Sequence, residues 1–270
     1  MQTIIENKIK GIRQKETNVW SAISKSAFNY RENGHRFIQE VEKDSFWYIH
    51  KNRCVLEHLR KNKVDWILDV GGGNGIISEL LIQNNIQSIL LEPGFDGVCS
   101  AKQKHLPYII HGSIDDCDIQ DNSMNNAGLF DILEHIEKDD ELLKKVFRFI
   151  IPGGRLFITV PAHNFLWSNN DKAVGHFRRY TAGNLKRKLR LQGFTIEFTS
   201  YLFWILPLPI LFFRKVIYKN KIQGKKHFEH ATRNKFLSSL ISFLLLIEFF
   251  CISKSIPIPF GSTCFIIARK

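Results

Sequence analysis

A chain of 270 residues, 44 % hydrophobic and 24 % charged, has room for one α/β domain of about 200 residues plus an insertion, but is short for two independent domains. Its five cysteines (Cys54, Cys99, Cys117, Cys251, Cys264) are odd in number and form no C-x-x-C pair, which argues against a disulfide framework or a structural zinc site. The net charge of +12 does not point to nucleic acid, because the basic residues alternate with bulky aliphatic runs rather than with base-stacking aromatics on a polar face.

Met1 to Lys15 mixes polar and basic residues without a continuous apolar core of signal-peptide length, so a reducing cytosol is the expected compartment. Residues 1–62 read as a helical cap, with Phe46, Trp47, Tyr48, Val55, Leu56 and Leu59 as its apolar positions, expected to close over a ligand. The next segment is the most informative. Trp66-Ile67-Leu68-Asp69-Val70 is an apolar run of buried parallel-strand type that ends in Gly71-Gly72-Gly73-Asn74-Gly75, and Ile76 to Ile82 reads as the following helix. Glycines there permit unusual backbone angles and leave no side chain between the backbone and a bound molecule, while the helix start favours polar or anionic groups. Glycine stands at the first, third and fifth positions counted from Gly71, with Ile76 at the sixth, which departs from the G-x-G-x-x-G of dinucleotide folds. Asp69, together with Glu92 at the end of the next apolar strand (Ser88 to Leu91), suits a ligand with an amino-acid end and a ribose.

Alternation continues through a helix, strands over Tyr108 to His111 and Ala127 to Phe130, and a helix over Glu141 to Phe149. The turn Ile151-Pro152-Gly153-Gly154 leads into a strand over Arg155 to Val160, and Thr181 is placed to cap a helix that ends at Gly193. The pattern is α/β and doubly wound, with parallel strands. Leu202 to Phe213 is then apolar all round and proline-broken, and Phe236 to Ile252 is nearly as apolar, interrupted by three serines and Glu248. Between them Arg214, Lys215, Lys219, Lys221, Lys225, Lys226, Arg233 and Lys235 face a single acid, Glu229. A membrane-spanning helix needs about 20 predominantly apolar residues. These runs fit better as a monotopic insertion with its charges at the headgroups of an anionic leaflet, or as a helical surface buried against protein.

Across roughly residues 40 to 200, and again at the C-terminus, the chain resembles class I S-adenosylmethionine-dependent methyltransferases. The resemblance implies a Rossmann-like, doubly wound, seven-stranded sheet with an antiparallel last strand, here Gly261 to Ile267, and a hydrophobic helical insertion before it. The implied organisation is a cap over 1–62, a catalytic core over 63–201 plus 256–270, and the insertion over 202–255. It also implies S-adenosylmethionine as cofactor. Asp69, Gly71, Gly72, Gly73 and Gly75 match the motif that contacts the methionine part, and Glu92 matches the ribose-binding acid. Ser113 and Ile114, within Gly112 to Asp116, match the adenine segment, and Asp131 to Ile136 match the end of the fourth strand and the active-site helix. Many members carry Asp where Ser113 stands, which leaves Asp115 as an alternative partner for the adenine amino group.

The chemistry is expected beyond strands four and five. If Asp131 to His135 is helical, Asp131, Glu134 and His135 share one face. In the ubiquinone-biosynthesis O-methyltransferases, which this part resembles, such a set is associated with a divalent metal, whereas the alternative is that Glu134 and His135 brace the helix. Pro161 to Ser168, Asp171 and Gly175-His176-Phe177-Arg178-Arg179-Tyr180 resemble a bacterial branch of the superfamily that works on envelope or cell-surface molecules. His135, His163 and His176 are the candidate bases for a hydroxyl acceptor, since neutral imidazole accepts a proton near pH 7. Arg178 and Arg179 either hold an anionic acceptor group or pair with Asp171. The expected function is methyl transfer to a small-molecule or lipid-linked acceptor, most simply at oxygen, in the cytoplasm at the inner face of the membrane. A membrane-docked cofactor-binding regulator would need a disabled glycine loop or a blocked acceptor cavity, and the sequence shows an intact loop. A nucleic-acid methyltransferase would carry Asn/Asp-Pro-Pro-Tyr/Phe where this chain reads Asp131-Ile132-Leu133-Glu134.

Overall fold

A computed structural model describes residues 2–23, 45–208 and 235–270. Their main feature is a nine-stranded sheet in the order β10-β11-β9-β8-β4-β5-β6-β3-β2. Its strands are β2 Ile12–Glu16, β3 Val19–Ala22, β4 Trp66–Val70, β5 Gln87–Glu92, β6 Ile109–His111, β8 Met124–Phe130, β9 Ile150–Pro161, β10 Thr195–Leu202 and β11 Thr263–Arg269. The strands from β9 to β3 run parallel, while β11 is antiparallel to both β9 and β10. Every residue of β4 is buried, as expected for a strand covered on both faces. Strand order reverses between β5 and β8 on either side of β4, the crevice where open α/β sheets bind ligands.

The expected antiparallel last strand is present, and the seven strands implied by the resemblance are joined by two more. Instead of a wholly helical cap over 1–62, the described N-terminal residues form helix α1 (Gln2–Lys8), strand β1 (Ile9–Lys10), β2 and β3, and then α2 (Phe46–Lys61). Val19, Trp20, Ser21 and Ala22 of β3 are all buried, and β3 pairs in parallel with β6. This pairing covers backbone groups that β6 would otherwise leave at an edge. β1 pairs with β7 (Asp118–Ile119) in a separate two-stranded ladder.

Helices α3 (Ile76–Gln83), α4 (Phe95–Gln103), α5 (Asp139–Phe149), α6 (Asn169–Ala173) and α7 (Ala182–Leu191) connect the strands. α5 begins with Asp139, Asp140 and Glu141, which suit the positive end of the helix dipole, and buries Leu142, Leu143, Val146 and Phe149. The Thr181 hydroxyl accepts from the Asn184 N–H and caps α7, which ends at Leu191, two residues before the expected Gly193.

The second apolar run forms the expected helix, α8 (Lys235–Ser253). Leu202 closes β10 rather than opening the insertion, and the basic stretch up to Arg233 lies outside the described residues. Glu248, an interruption in an apolar pattern, is fully buried. Its carboxylate accepts the N–H groups of Phe203 (2.7 Å) and Trp204 (2.9 Å) and meets His50 Nε2 at 2.7 Å. Further along, His58 Nε2 meets the Ile252 carbonyl, and the Arg53 guanidinium lies 3.7 Å from the Phe249 ring centre. One side of α8 is therefore docked on α2 and the end of β10. Leu240, Phe243, Leu246, Ile247 and Phe250 stay exposed, Phe243 by 60 % and Phe250 by 59 %. Among the described residues no helix is long and apolar enough to cross a membrane.

Candidate active site

The glycine loop between β4 and α3 turns through left-handed backbone at Gly71 (φ +67°), Gly73 (φ +54°) and Gly75 (φ +72°). A β-carbon on Gly71 would strike Ile132, and one on Gly72 would strike Leu90 and the Asp69 carboxylate, so these two are forced by packing. Gly73 differs: a β-carbon there would meet nothing within 4 Å. The loop presents a bare backbone face to open space, and this fits a cofactor that lies against the main chain.

Both predicted acids lie under this loop. Glu92, fully buried, accepts the Gly73 N–H at 2.8 Å and the Gly94 N–H at 2.6 Å, and burial pushes its carboxyl up to about 7 against those two bonds. Asp69 is also fully buried. Ser78 donates to its Oδ2 at 2.6 Å, while Oδ1 has no partner, and burial raises the group to about 6. Glu92 thus fixes the loop from beneath through Gly73, while Asp69 is tied to α3 through Ser78 and packs under Gly72. In the adenine segment, Ser113 binds Asp116 through both N–H (2.8 Å) and hydroxyl (2.7 Å), and Ile114 packs on the core. Asp115 is ion-paired to Lys145.

The expected shared helix face of Asp131, Glu134 and His135 does not form. Asp131 ends β8 in left-handed backbone (φ +56°), and only Leu133–His135 makes a 3₁₀ turn. The Asp131 carboxylate is taken by the Lys51 ammonium from α2 and by the Thr159 hydroxyl at 3.0 Å. Lys51, itself buried, was not legible in the sequence because its partner lies 80 positions away. Glu134 is also buried, with Oε2 unpartnered, and burial together with the neighbouring Asp131 carboxylate holds its carboxyl well above the usual range.

His176 arrives from the segment after β9. Its Nδ1 meets Asp171 Oδ1 at 2.9 Å, its Nε2 lies 3.9 Å from Glu134 Oε1, and its ring packs edge-on against His135 with centroids 4.6 Å apart. Asp171 also accepts Arg179 at 2.7 and 3.1 Å and closes a capping box with Ser168 at the start of α6. Burial alone would raise this carboxyl, but the His176 and Arg179 bonds hold it well below the usual range. The arginines are therefore spoken for by protein acids, Arg179 by Asp171 and Arg178 by Asp139 at 2.8 Å, rather than presented to an anion. His163 stands apart from the other two histidines. It has φ +61°, stacks with Phe165 and Tyr201, and has a buried Nε2 without a partner; burial and then Arg179 lower its pKa.

Residues 48–197, more than half of the chain, match a family model described as a methyltransferase domain. Over 174 residues the chain is 22 % identical to a probable S-adenosylmethionine-dependent methyltransferase of Mycolicibacterium smegmatis, covering 63 % of this chain and 67 % of that protein. The fold overlays a Thermotoga maritima S-adenosylmethionine-dependent methyltransferase, a possible histamine N-methyltransferase, with a TM-score of 0.54 at 16 % identity, covering 87 % of this chain and 97 % of that one. It also overlays phosphoethanolamine N-methyltransferase 2 of Haemonchus contortus in complex with S-adenosylmethionine, with a TM-score of 0.53 at 17 % identity over 81 % of this chain. The chain spans about half of that enzyme's length, 52 %. The two overlays support the fold, and the family match rests on the segment that builds the glycine loop, Glu92 and the Glu134–His176 cluster: the chain belongs to the class I S-adenosylmethionine-dependent methyltransferases.

Proposed function

We propose that this methyltransferase delivers the methyl group of S-adenosylmethionine to an oxygen of a small-molecule, lipid or glycolipid acceptor at the inner face of a membrane. The observation that carries the reading is the Asp171–His176 dyad, built beside Glu134 and His135 beyond the carboxyl ends of β8 and β9. S-adenosylmethionine supplies an electrophilic methyl on a sulfonium, so the chain has to align an acceptor in line and remove its proton. Gly73 and the loop braced by Glu92 and packed over Asp69 form the proposed cofactor seat, and Ser113 and Ile114 the proposed edge of the adenine site. Asp131, at the carboxyl end of β8 and held by Lys51 and Thr159, is the remaining proposed cofactor contact.

For the base, the geometry favours His176 over His163. Asp171 fixes the His176 tautomer with the proton on Nδ1, which leaves the Nε2 lone pair toward Glu134 and His135. His135 is the alternative base of the same cluster. The lipid part of the reading is supported by the exposed apolar side of α8 and by the excess of lysine and arginine between residues 214 and 235, a combination suited to an anionic leaflet.

Transfer of labelled methyl from S-adenosylmethionine to fractionated cell extract tests the proposal. Label is expected in a base-stable product of the organic phase. His176→Ala is expected to lower turnover about 100-fold with cofactor affinity nearly unchanged. Label confined to aqueous small molecules would remove the lipid acceptor, and near-parental turnover of His176→Ala and His135→Ala would remove the histidine base.

A further inference from the structure

Exposed aromatic side chains gather at one edge of the sheet. Among the described residues, every exposed Phe or Trp outside α8 lies where the parallel strands have their carboxyl ends: Phe95, Phe165, Phe177, Trp204 and Phe260. Phe95 opens α4 just after β5, and Phe165 sits in the 3₁₀ turn Asn164–Leu166 just after β9. The Phe177 N–H donates to the Glu134 carbonyl at 2.8 Å, which holds Phe177 over the end of β8. Trp204 follows β10, and Phe260 precedes β11, whose antiparallel direction brings its start to the same edge. Their exposure runs from 36 % at Phe260 to 63 % at Phe95. We propose that this edge itself, and not only α8, docks on an anionic lipid leaflet, with the aromatic rim seated around the mouth of the active site; the proposal rests on the reading of a membrane-side acceptor.

Three observations select a bilayer as the occupant. The first is span. From β10 to β5 the sheet order passes five strand steps, about 24 Å at the usual spacing, so a small acceptor covers part of the rim and a bilayer covers all of it. The second is continuity. The Trp204 N–H donates to Glu248 at 2.9 Å, which places Trp204 beside α8, and Leu240, Phe243, Leu246 and Ile247 of that helix extend the apolar surface from there. Apolar surface gathered in this way marks an interaction site, unlike the single exposed residues of an ordinary surface. The third is charge. The segment that leads into α8 carries eight basic residues against Glu229 alone between residues 214 and 235, which complements anionic headgroups, whereas a second copy of a chain with net charge +12 would be repelled. The opposite edge has no such rim: Leu191, just before β10 begins, is exposed there, but no exposed Phe or Trp among the described residues accompanies it. Docking by the rim brings the mouth of the crevice to the headgroups, so a lipid-linked acceptor enters from the leaflet without crossing water.

Partition of the full chain between buffer and vesicles of phosphatidylcholine with phosphatidylglycerol tests the rim. Phe165→Ser combined with Phe177→Ser should lower the partition coefficient about tenfold or more, through loss of apolar area at the leaflet, whereas Leu191→Ser at the opposite edge should leave it unchanged. Lipids brominated on the acyl chain should quench the tryptophan fluorescence of the parent, and quench it less in Trp204→Phe. Retained S-adenosylmethionine binding by each variant serves as the check on folding. If the parent binds vesicles and the double variant binds them as tightly, or Leu191→Ser loses as much, the rim is overturned and membrane docking is left to α8. A parent that ignores these vesicles overturns the rim together with the membrane-side acceptor. Methyl transfer itself stands apart from both outcomes, because it is judged by label transfer.

Discussion

At the scale of single residues, the proposed cofactor seat is built from groups that are unfavourable alone and tolerable together. Two buried carboxylates lie beneath a loop whose glycines leave no other volume for them, and both are raised by burial, Asp69 to about 6 and Glu92 to about 7. A carboxyl whose pKa is higher folded than unfolded binds its proton more tightly in the folded state, so its contribution to stability rises as pH falls from above 7 toward the ordinary carboxylate range. For the cofactor-free protein, the pH dependence of the melting temperature should therefore contain a term that strengthens from pH 8 to pH 5. Glu92→Gln keeps an oxygen for one of the two N–H groups, which the carboxylate takes on separate oxygens, and cannot titrate, so its melting temperature should lose the Glu92 part of that term. Parallel curves for the parent and Glu92→Gln would show that Glu92 does not titrate in this window.

Among the elements, legibility followed locality. β4, the glycine loop, α3 and the end of β5 were readable because each is a contiguous signal: an apolar run, a cluster of glycines, a helical period, an acid at a strand end. The strands at the N-terminus were not, because β1 to β3 are two to five residues long and β2 carries Arg13, Lys15 and Glu16. Val19 to Ala22 forms a strand between β2 and the edge of β6, and the second of these partners lies far along the chain. The same limit hid the partners at the site. The three histidines were visible as residue types, but Lys51 on Asp131 and His176 beside Glu134 exist only after folding, and the helix expected through Asp131 gives way to a strand end in left-handed backbone. Glu248 is the clearest case, since in sequence it weakens an apolar run and in the fold it docks the helix that carries it. Glu248→Ala would leave two backbone N–H groups and His50 without their acceptor and should cost about 3 kcal/mol in chemical denaturation, with Glu248→Gln costing less. An unchanged denaturation midpoint would mean that α8 is not held by this carboxylate.

For the whole molecule, the order of pairing between α2 and α8 (His50 with Glu248, His58 with Ile252, Lys61 with Ser255) shows that the two helices run in the same direction. The part of α8 before Glu248 therefore continues past the edge at which β10 ends, the edge that also carries the ends of β8 and β9. A membrane that met the exposed side of α8 would then lie near the proposed acceptor site. Vesicle binding should rise with anionic lipid, and changing Lys219, Lys221, Lys225 and Lys226 to glutamate should weaken it, at roughly 1 kcal/mol for each basic residue near the surface. High salt should release part of the bound protein. Indifference to vesicles of every composition would make α8 a protein-facing surface and would remove the main support for a lipid acceptor.

Beneath these readings lies the claim that the loop from Gly71 to Gly75, with Glu92 beneath it, is a seat for S-adenosylmethionine. Titration calorimetry with S-adenosylmethionine, its demethylated product and NAD measures this most directly. The parent chain should bind the first two at one site and NAD more weakly or not at all. Gly73→Val, which puts a β-branched side chain on left-handed backbone and into the open face of the loop, and Glu92→Ala should each lose at least tenfold in affinity. Tighter binding of NAD, or parental affinity in both variants, would contradict the assignment.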